Sequence, residues 1–426
     1  MAYTILFGTF AFLMLLGMPI AFCLGIASLA TVLYIGIPPI VIFQQLNSGM
    51  NVFAMMAIPF FIFAGDLMVR GGIAFRLIRF ASGFVGHMRG GLGQVNIVSS
   101  TLFGGISGSA VADASAIGGL MVPQMAARGY DRGYAVNVTI SSALIALMIP
   151  PSHNMILYSI SAGGTVSVAD LFTAGIVPGM LLTVALMVTA YVVARRRGYP
   201  AEPFPGFAKL LVFFFAALPG LLLIAIIFGG VRSGVFTATE SSCIAVIYAF
   251  LVAVLVYREL NWSGFVEAIL GAVKTTSLVL LVIGMAAAFA WLMSFLQVQV
   301  TLIQVVKSIS DNPMVVLLLI TVVLLLLGTF MDMAPLIIIT TPVFLPIVQA
   351  FGIDPVHFGV IMILNAGIGL ITPPVGTVLF VGCAVGKITI REAMQTIWPF
   401  FGACVMVLLL VTFIPEISLW LPAQFK

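Results

Sequence analysis

The stretch Gly-Gly-Ile-Ser-Gly-Ser, residues 104–109, interrupts one apolar segment, and Pro150-Pro151 interrupts the next. Both interruptions recur downstream, as Gly-Thr-Phe-Met-Asp at 328–332 and as Pro373-Pro374. A shift of 223 residues carries Gly105 onto Gly328, Pro123 onto Pro346, Gly129 onto Gly352, Asp131 onto Asp354, and Pro150 and Pro151 onto Pro373 and Pro374. Six matches at helix-breaking and acidic residue types, without a gap, mark an internal repeat. Apolar segments broken by Gly or Pro at corresponding points of two halves indicate a binding site made by broken helices in a membrane protein.

Hydrophobic residues make up 62% of the 426 and charged ones 7%, with a mean hydropathy of +1.27. A soluble domain carries about 25% charge, so a water-soluble fold could not hide this much apolar surface and the lipid bilayer is the solvent. Apolar runs of about 20 residues recur, the length that crosses a hydrocarbon core. The net charge of +4 comes from residues scattered at run ends, and no nucleic-acid partner is expected. Cys23, Cys243, Cys383 and Cys404 each stand alone in apolar sequence, without CxxC or metal-ligand spacing, and read as small packing residues. The first run lacks a basic flank and a clear cleavage site and is expected to be a retained span.

Spans are expected at 4–35, 51–69, 134–162, 172–194, 209–230, 234–257, 272–296, 357–384 and 394–421. The stretches 90–126 and 313–350 are broken near their middles, leaving each half too short to span alone, and read as re-entrant helical hairpins. Amphipathic pieces are expected at 70–88, 259–271 and 299–310. The expected fold is an all-α polytopic membrane protein with inverted-topology repeats, each holding a re-entrant hairpin and a broken helix. Its parts are scaffold and arm helices at 1–89, transport elements at 90–162, scaffold and arms at 163–312, the second transport elements at 313–384, and a C-terminal helix at 385–426. Arg195-Arg196-Arg197 sets the orientation, because basic loops stay cytoplasmic. Counting outward from that loop leaves only Arg232, Lys307 and Lys426, of 17 Lys and Arg, on the far side. Five intervening spans make the hairpins enter from opposite faces, an alternating-access design.

Gly and Ser in the 104–109 turn leave carbonyls and hydroxyls free at bilayer depth, which is tolerated only against protein, water or an ion. Such a turn alone could equally be a helix-packing motif. The matching break at Pro150-Pro151 shifts the balance, since the missing amides free carbonyls about one turn earlier, near Ala146 to Ile149. Together with Ser107 and Ser109 these oxygens suit a hard monovalent cation. The second repeat offers Gly328, Thr329, Asp332, Gly367, Gly369, Thr372, Pro373 and Pro374, with Asp332 standing where Ser109 stands. An acid within the membrane is a functional candidate; the plainer role for Asp332 is to cap the helix that starts at Met333, and the two are compatible. Asp113 is expected to support the cavity, and Asp66 to form a structural ion pair with Arg70 at i+4. Asn154 and Thr377, each three residues beyond its proline pair, are expected to face the cavity. The helices resuming there aim N-terminal amides at it, which favours an anionic group such as a carboxylate. His87 and His357 are expected at interfaces, and His153 to bond a carbonyl. HExxH, GxSxG, Walker A and dinucleotide fingerprints are absent, so an enzyme or ATP-driven pump is not expected.

At Gly-Gly-Ile-Ser-Gly-Ser-Ala-Val-Ala-Asp (104–113), Ile-Pro-Pro-Ser (149–152), Gly-Thr-Phe-Met-Asp (328–332) and Ile-Thr-Pro-Pro-Val-Gly (371–376), the sequence resembles the large membrane subunit (M type) of tripartite ATP-independent periplasmic (TRAP) transporters. Gly-Met-Pro-Ile-Ala-Phe at 17–22 and Gly-Tyr-Asp-Arg at 129–132 extend the resemblance over nearly the whole chain. It implies a bacterial inner-membrane protein that couples inward Na⁺ flow to uptake of an organic acid, often a C4-dicarboxylate or sialic acid. A periplasmic substrate-binding protein (P type) delivers the acid, and a small four-helix membrane subunit (Q type), expected here as a separate chain, packs alongside. An elevator motion slides the hairpin-bearing domain against a scaffold. Two Na⁺ sites are implied, one at Ser107, Ser109, Ala146, Ile149 and Pro151, the other at Gly328, Asp332, Gly369, Thr372 and Val375. Substrate contacts are expected from Ser109, Asp113, Asn154, Asp332 and Thr377.

The nearest rival is a stand-alone ion-coupled carboxylate carrier, which would transport free substrate without partners. An intramembrane enzyme would need a nucleophile with its base, or metal ligands, at mid-depth, and the sequence offers neither. A channel fits poorly with two hairpins bearing separate ion sites.

Overall fold

The computed structural model describes residues 1–201 and 203–425, so the expectation for Lys426 lies outside the described residues. Every regular element among them is helical. The chain opens with α1 (Ala2–Leu15) and α2 (Ile20–Ile35), which pack on each other. The single span expected at 4–35 is therefore two helices: Gly17 takes a positive φ of 77° and Pro19 has no amide to continue a helix. Then come α3 (Ile40–Met50), α4 (Ala57–Arg70) and the amphipathic α5 (Ile73–Val85).

The first hairpin is α6 (Gly91–Ser107) and α7 (Ala110–Ala127). The broken helix follows as α8 (Arg132–Ser142), a 3₁₀ turn over Ala143–Leu147, and α9 (His153–Ser161). Connecting helices are α10 (Val168–Arg197), α11 (Phe207–Arg232), α12 (Ala238–Leu251, running into a π turn over Val252–Val256), α13 (Trp262–Phe295) and α14 (Val298–Ile309). The amphipathic piece expected at 259–271 proves to be the start of α13: Asn261 caps Gly264 N at 2.7 Å and no breaker interrupts the next 34 residues. The second hairpin is α15 (Pro313–Phe330) and α16 (Met333–Ala350), and the second broken helix is α17 (Pro355–Leu370) and α18 (Thr377–Gly386). The chain ends in α19 (Ile390–Thr396), α20 (Trp398–Phe413) and α21 (Glu416–Ala423). The span expected at 394–421 is thus broken twice, by a 65° bend between α19 and α20 and again at Pro415.

Helix ends follow the 223-residue shift. It carries α7 onto α16 at both ends and the start of α8 onto the start of α17. Among the described residues seven helices are long and apolar enough to cross a membrane. They include α15 and α16, each 18 residues and roughly 27 Å long, so the expectation that each half of 313–350 is too short to span does not hold. What pairs them is the break at Met331-Asp332, not shortness.

The interior belongs to the broken helices. α8 is buried from Gly133 to Ser142, and so is α17 from His357 to Leu370, His357 included, which places that residue inside and not at an interface. Its Nδ1 lies 2.6 Å from Ser418 Oγ. The wall formed by α11 is different: Phe207, Leu211, Val212 and Phe215 are exposed. Arg76 pairs with Glu259 at 2.8 Å and stacks on the Tyr257 ring, while Arg197 reaches Asp131 at 3.2 Å. The four cysteines are free thiols, three of them buried, as small packing residues would be.

Candidate functional site

Each hairpin tip is seated on the break of the helix that follows it. At the first tip α6 stops because Gly108 turns to a φ of +57°, and extended Ser109 N-caps α7 by accepting from Ala112 N at 3.3 Å. Glycine is needed where the tip meets the break. A Cβ on Gly104 would lie 2.6 Å from Ala146 Cα, and one on Gly108 would lie 2.5 Å from the Pro151 carbonyl oxygen. Ser107 Oγ, buried, accepts from Ser109 N at 3.5 Å. The carbonyls of Ala146 through Pro151 accept no hydrogen bond among the described residues, because Ile149 N turns back to Ile145 O and the two prolines have no amide to offer. The tip that carries Ser107 and Ser109, whose hydroxyls each accept one backbone amide, thus lies against a break whose Ala146, Ile149 and Pro151 carbonyls are uncommitted.

The second tip repeats the construction one residue out of register. Gly328 and not its neighbour meets the break, and a Cβ on Gly369 would lie 2.7 Å from the Gly328 carbonyl carbon and oxygen. Val375 N donates to Thr329 O at 3.0 Å and ties the tip to the break. Thr372 Oγ1 spends its proton on Ile368 O at 2.7 Å, which leaves its lone pairs open. The carbonyls from Leu370 to Val375 accept no hydrogen bond among the described residues. Both proline pairs are joined by cis peptide bonds. Donor-free carbonyls and hydroxyls are the ligands a hard cation takes, so the residues present fit Na⁺ at both tips, buried at Ala146 and Pro151 of the first and more open at Asp332 and Val375 of the second.

Between the tips lies a cavity of about 410 Å³, lined among others by Asp66, Ser109, His153, Asn154, Thr275 and Asp332. One wall is α4 and α13; the other is the hairpin and broken-helix elements. The first turns of α7, α9 and α16 open onto it, so three helix N-termini face the same space. A second cavity of about 640 Å³ shares Asp66, Val69, Ala112 and Ser115 with the first and continues to Arg70 and Glu259.

Asn154 lines the cavity as expected; Thr377 does not, and instead donates to the lining Asp332 Oδ1 at 3.0 Å. Asp332 sits at the N-cap position of α16, yet its side chain makes no capping bond; it bonds Thr377 and is exposed to the cavity. Asp113 does not line the cavity. It points the other way along α7 and is fully buried. Arg70 hydrogen-bonds Glu267 at 2.6 Å and not Asp66, because the start of α13 brings a tertiary carboxylate closer than the i+4 neighbour. Asp66 is left lining the cavity, where only a structural ion pair with Arg70 was expected. His153 lines the cavity and forms none of the expected carbonyl bonds among the described residues, its Nδ1 included. His87 is exposed and stacks edge-on with Phe204. Thr275 was not legible as a site residue, since it lies on a long helix with no punctuation.

Residues 7–417 match the family described as "Tripartite ATP-independent periplasmic transporter, DctM component". The chain is 47% identical over 425 residues to the uncharacterized protein YgiK of Salmonella typhimurium, covering 99% of this chain and 97% of that protein. It is 38% identical over 414 residues to the sialic acid TRAP transporter large permease protein SiaM of Vibrio cholerae, covering 97% and 96%. Among solved structures it is similar in fold to the YdaH transporter of Alcanivorax borkumensis, with a TM-score of 0.61, 15% identity, and 90% and 88% of the two chains covered.

Proposed function

Because the chain belongs to the DctM component family of tripartite ATP-independent periplasmic transporters, a family of multi-pass inner-membrane permease subunits and not of enzymes, we propose that it is the Na⁺-coupled element that imports an organic acid of the sialic acid or C4-dicarboxylate type. The observation that carries this reading is the pair of hairpin tips, each seated on a helix break whose carbonyls have no donor. Na⁺ at Ser107, Ser109, Ala146, Ile149 and Pro151, and at Gly328, Asp332, Gly369, Thr372 and Val375, satisfies those oxygens and holds each tip on its break. Substrate then occupies the 410 Å³ cavity between them. Its carboxylate is met by the amides of the α7, α9 and α16 first turns, and its polar body by Ser109, Asn154 and Asp332 with Thr377 behind it. The adjoining cavity runs to Arg70 and Glu259, on the face that charge counting assigns to the cytoplasm, which supports an inward-open reading of this conformation. Transport is the elevator movement of the hairpins and broken helices along the wall of α4 and α13.

Two partners complete the reading. A small membrane subunit covers the exposed apolar wall of α11, and a periplasmic binding protein supplies substrate, raising its local concentration. The decisive experiment is uptake in proteoliposomes with and without a Na⁺ gradient, testing sialic acid, dicarboxylates and sugar acids. The complete set of three proteins is expected to accumulate one of these acids only with the gradient. The permease alone is expected to remain at background, and robust partner-independent transport there would promote the stand-alone carrier.

Ser109 gives a sharper test of the first Na⁺ site. Ser109→Leu removes the hydroxyl and the cap of α7, a helix-stability loss of about 1 kcal/mol that a well-packed chain tolerates. Na⁺-driven uptake is expected to fall on the order of 100-fold. Ser109→Asn keeps a capping oxygen and should retain more activity, with a higher Na⁺ requirement. Unchanged Na⁺ dependence in the Leu variant would remove Ser109 from the site.

A further inference from the structure

Among the described residues, Asp113 is an intramembrane acid that neither cavity uses. It is 0% exposed, and neither carboxylate oxygen has a hydrogen-bond partner of good geometry, although the Ser100 hydroxyl stands beside it. Around it α6 and α8 bring together Asn96, Ser100, Thr139 and Ser142, all fully buried. The donors of this cluster are already committed. Asn96 Nδ2 donates to Thr139 Oγ1 at 2.7 Å and to Met125 Sδ at 3.9 Å, Thr139 Oγ1 to Ala135 O at 2.8 Å, and Ser142 Oγ to Thr139 O at 3.0 Å. Only the Ser100 proton is left, and Ser142 Oγ competes for it at 3.1 Å. A carboxylate accepts at both oxygens, about four lone-pair sites in all, so the cluster is rich in acceptors and short of donors. A buried acceptor without a donor costs about 1–3 kcal/mol, more when charged.

The second repeat lacks this cluster. The 223-residue shift carries Asn96 onto Leu319, Ser100 onto Val323, Asp113 onto Leu336, Thr139 onto Met362 and Ser142 onto Asn365. Four of five polar positions become apolar, in a region where helix ends otherwise superpose. The deficit is therefore not a requirement of the hairpin fold, which forms equally well around Leu336.

We propose that Asp113, with Ser100, Ser142 and Asn96, is a third Na⁺ site, buried between α6, α7 and α8 and without a counterpart in the second repeat. It lies one helical turn beyond Ser109, separate from both tip sites. It supplies what the first tip lacks, a full negative charge. An ion held there ties α6, α7 and α8 into one body and adds one ion to the transport stoichiometry. The inference rests on the Na⁺-coupled reading above.

The test measures the Na⁺-to-substrate stoichiometry of the reconstituted complex from the substrate gradient that balances an imposed Na⁺ gradient. At a tenfold Na⁺ gradient, each ion removed from the cycle lowers the limiting accumulation about tenfold. Asp113→Asn is expected to lower it by that one decade. Leu336→Ala, at the equivalent apolar position of the second repeat, is expected to leave the stoichiometry as it was. Asp113→Asn with wild-type stoichiometry overturns the proposal, as does a wild-type stoichiometry that gains a proton, not a Na⁺, through Asp113. If Asp113→Asn does not fold, Ser100→Ala and Ser142→Ala carry the test: each should raise the Na⁺ concentration for half-maximal uptake several-fold, and no shift in either overturns it. A wild-type complex with no Na⁺ dependence would instead bring down the parent reading.

Discussion

Gly369→Ala should abolish Na⁺-driven uptake while Gly402→Ala leaves it intact. The added Cβ at 369 would lie 2.7 Å from the Gly328 carbonyl carbon and oxygen and 2.8 Å from its Cα. All three are backbone atoms, and that backbone is itself tied down by the 3.0 Å bond from Val375 N to Thr329 O. Neither side can give way without lifting the hairpin tip off the helix break and spreading the oxygens proposed as the second ion site. At Gly402 nothing lies within 4 Å, so Ala there can only add helix propensity. Two further variants grade the effect. Gly367→Ala meets the terminal methyl of Leu147 at 2.8 Å, which can rotate aside, and Gly328→Ala meets Gly369 Cα at a milder 3.3 Å. The expected order of lost uptake is Gly369, then Gly328 and Gly367, then Gly402, with the first down on the order of 100-fold. A parallel loss of Na⁺-induced thermal stabilisation in the purified permease checks that the ion site is what failed. Equal activity of the 369 and 402 variants would mean that the tip-to-break contact is not part of the transport cycle.

The same contacts mark how far the sequence could be read. Glycine and proline act locally, so the breaks at 104–109, 150–151, 328–332 and 373–374 were visible before any packing was known, and the helices end there. Gly17 and Pro19 were equally visible, but a kink within one span and a fold-back of two helices carry the same punctuation; only the packing of α1 on α2 separates them. The long α13 hid its amphipathic start because nothing in 259–271 signals that the helix continues into the bilayer. Side-chain direction was the least legible layer. Asp66 and Arg70 have ideal i+4 spacing, yet Glu267 from a distant helix takes the arginine. Asp113 and Ser109 are one turn apart, yet only Ser109 reaches the cavity, because the opposite face of α7 packs on α6 and α8.

Asp332→Asn should lower uptake 10- to 100-fold, roughly what loss of a charged hydrogen-bonding partner costs, without affecting insertion or thermal stability. Its place at the N-cap of α16 would ordinarily give the carboxylate a structural task, and that task is not performed: no side-chain capping bond forms. Ser109, at the equivalent position of the first repeat, does cap its helix. What Asp332 does instead is accept from Thr377 Oγ1 at 3.0 Å, across the gap between the second hairpin and the helix that resumes after Pro374, with its carboxylate open to the cavity. Asparagine retains the carbonyl oxygen for Thr377 and nearly the same volume, so the substitution removes charge and little else. Thr377→Ala removes the bond but leaves the charge and should cost less than Asp332→Asn. Uptake rates, Na⁺ titrations and melting temperatures for the two single variants and the double variant separate the contributions. If the charge acts through an ion, Asp332→Asn raises the Na⁺ requirement and the double variant adds little to it. Wild-type uptake by Asp332→Asn at every pH from acidic to alkaline would show that an uncharged acceptor suffices, and the second ion site would then consist of Gly328, Gly369, Thr372 and Val375 oxygens alone.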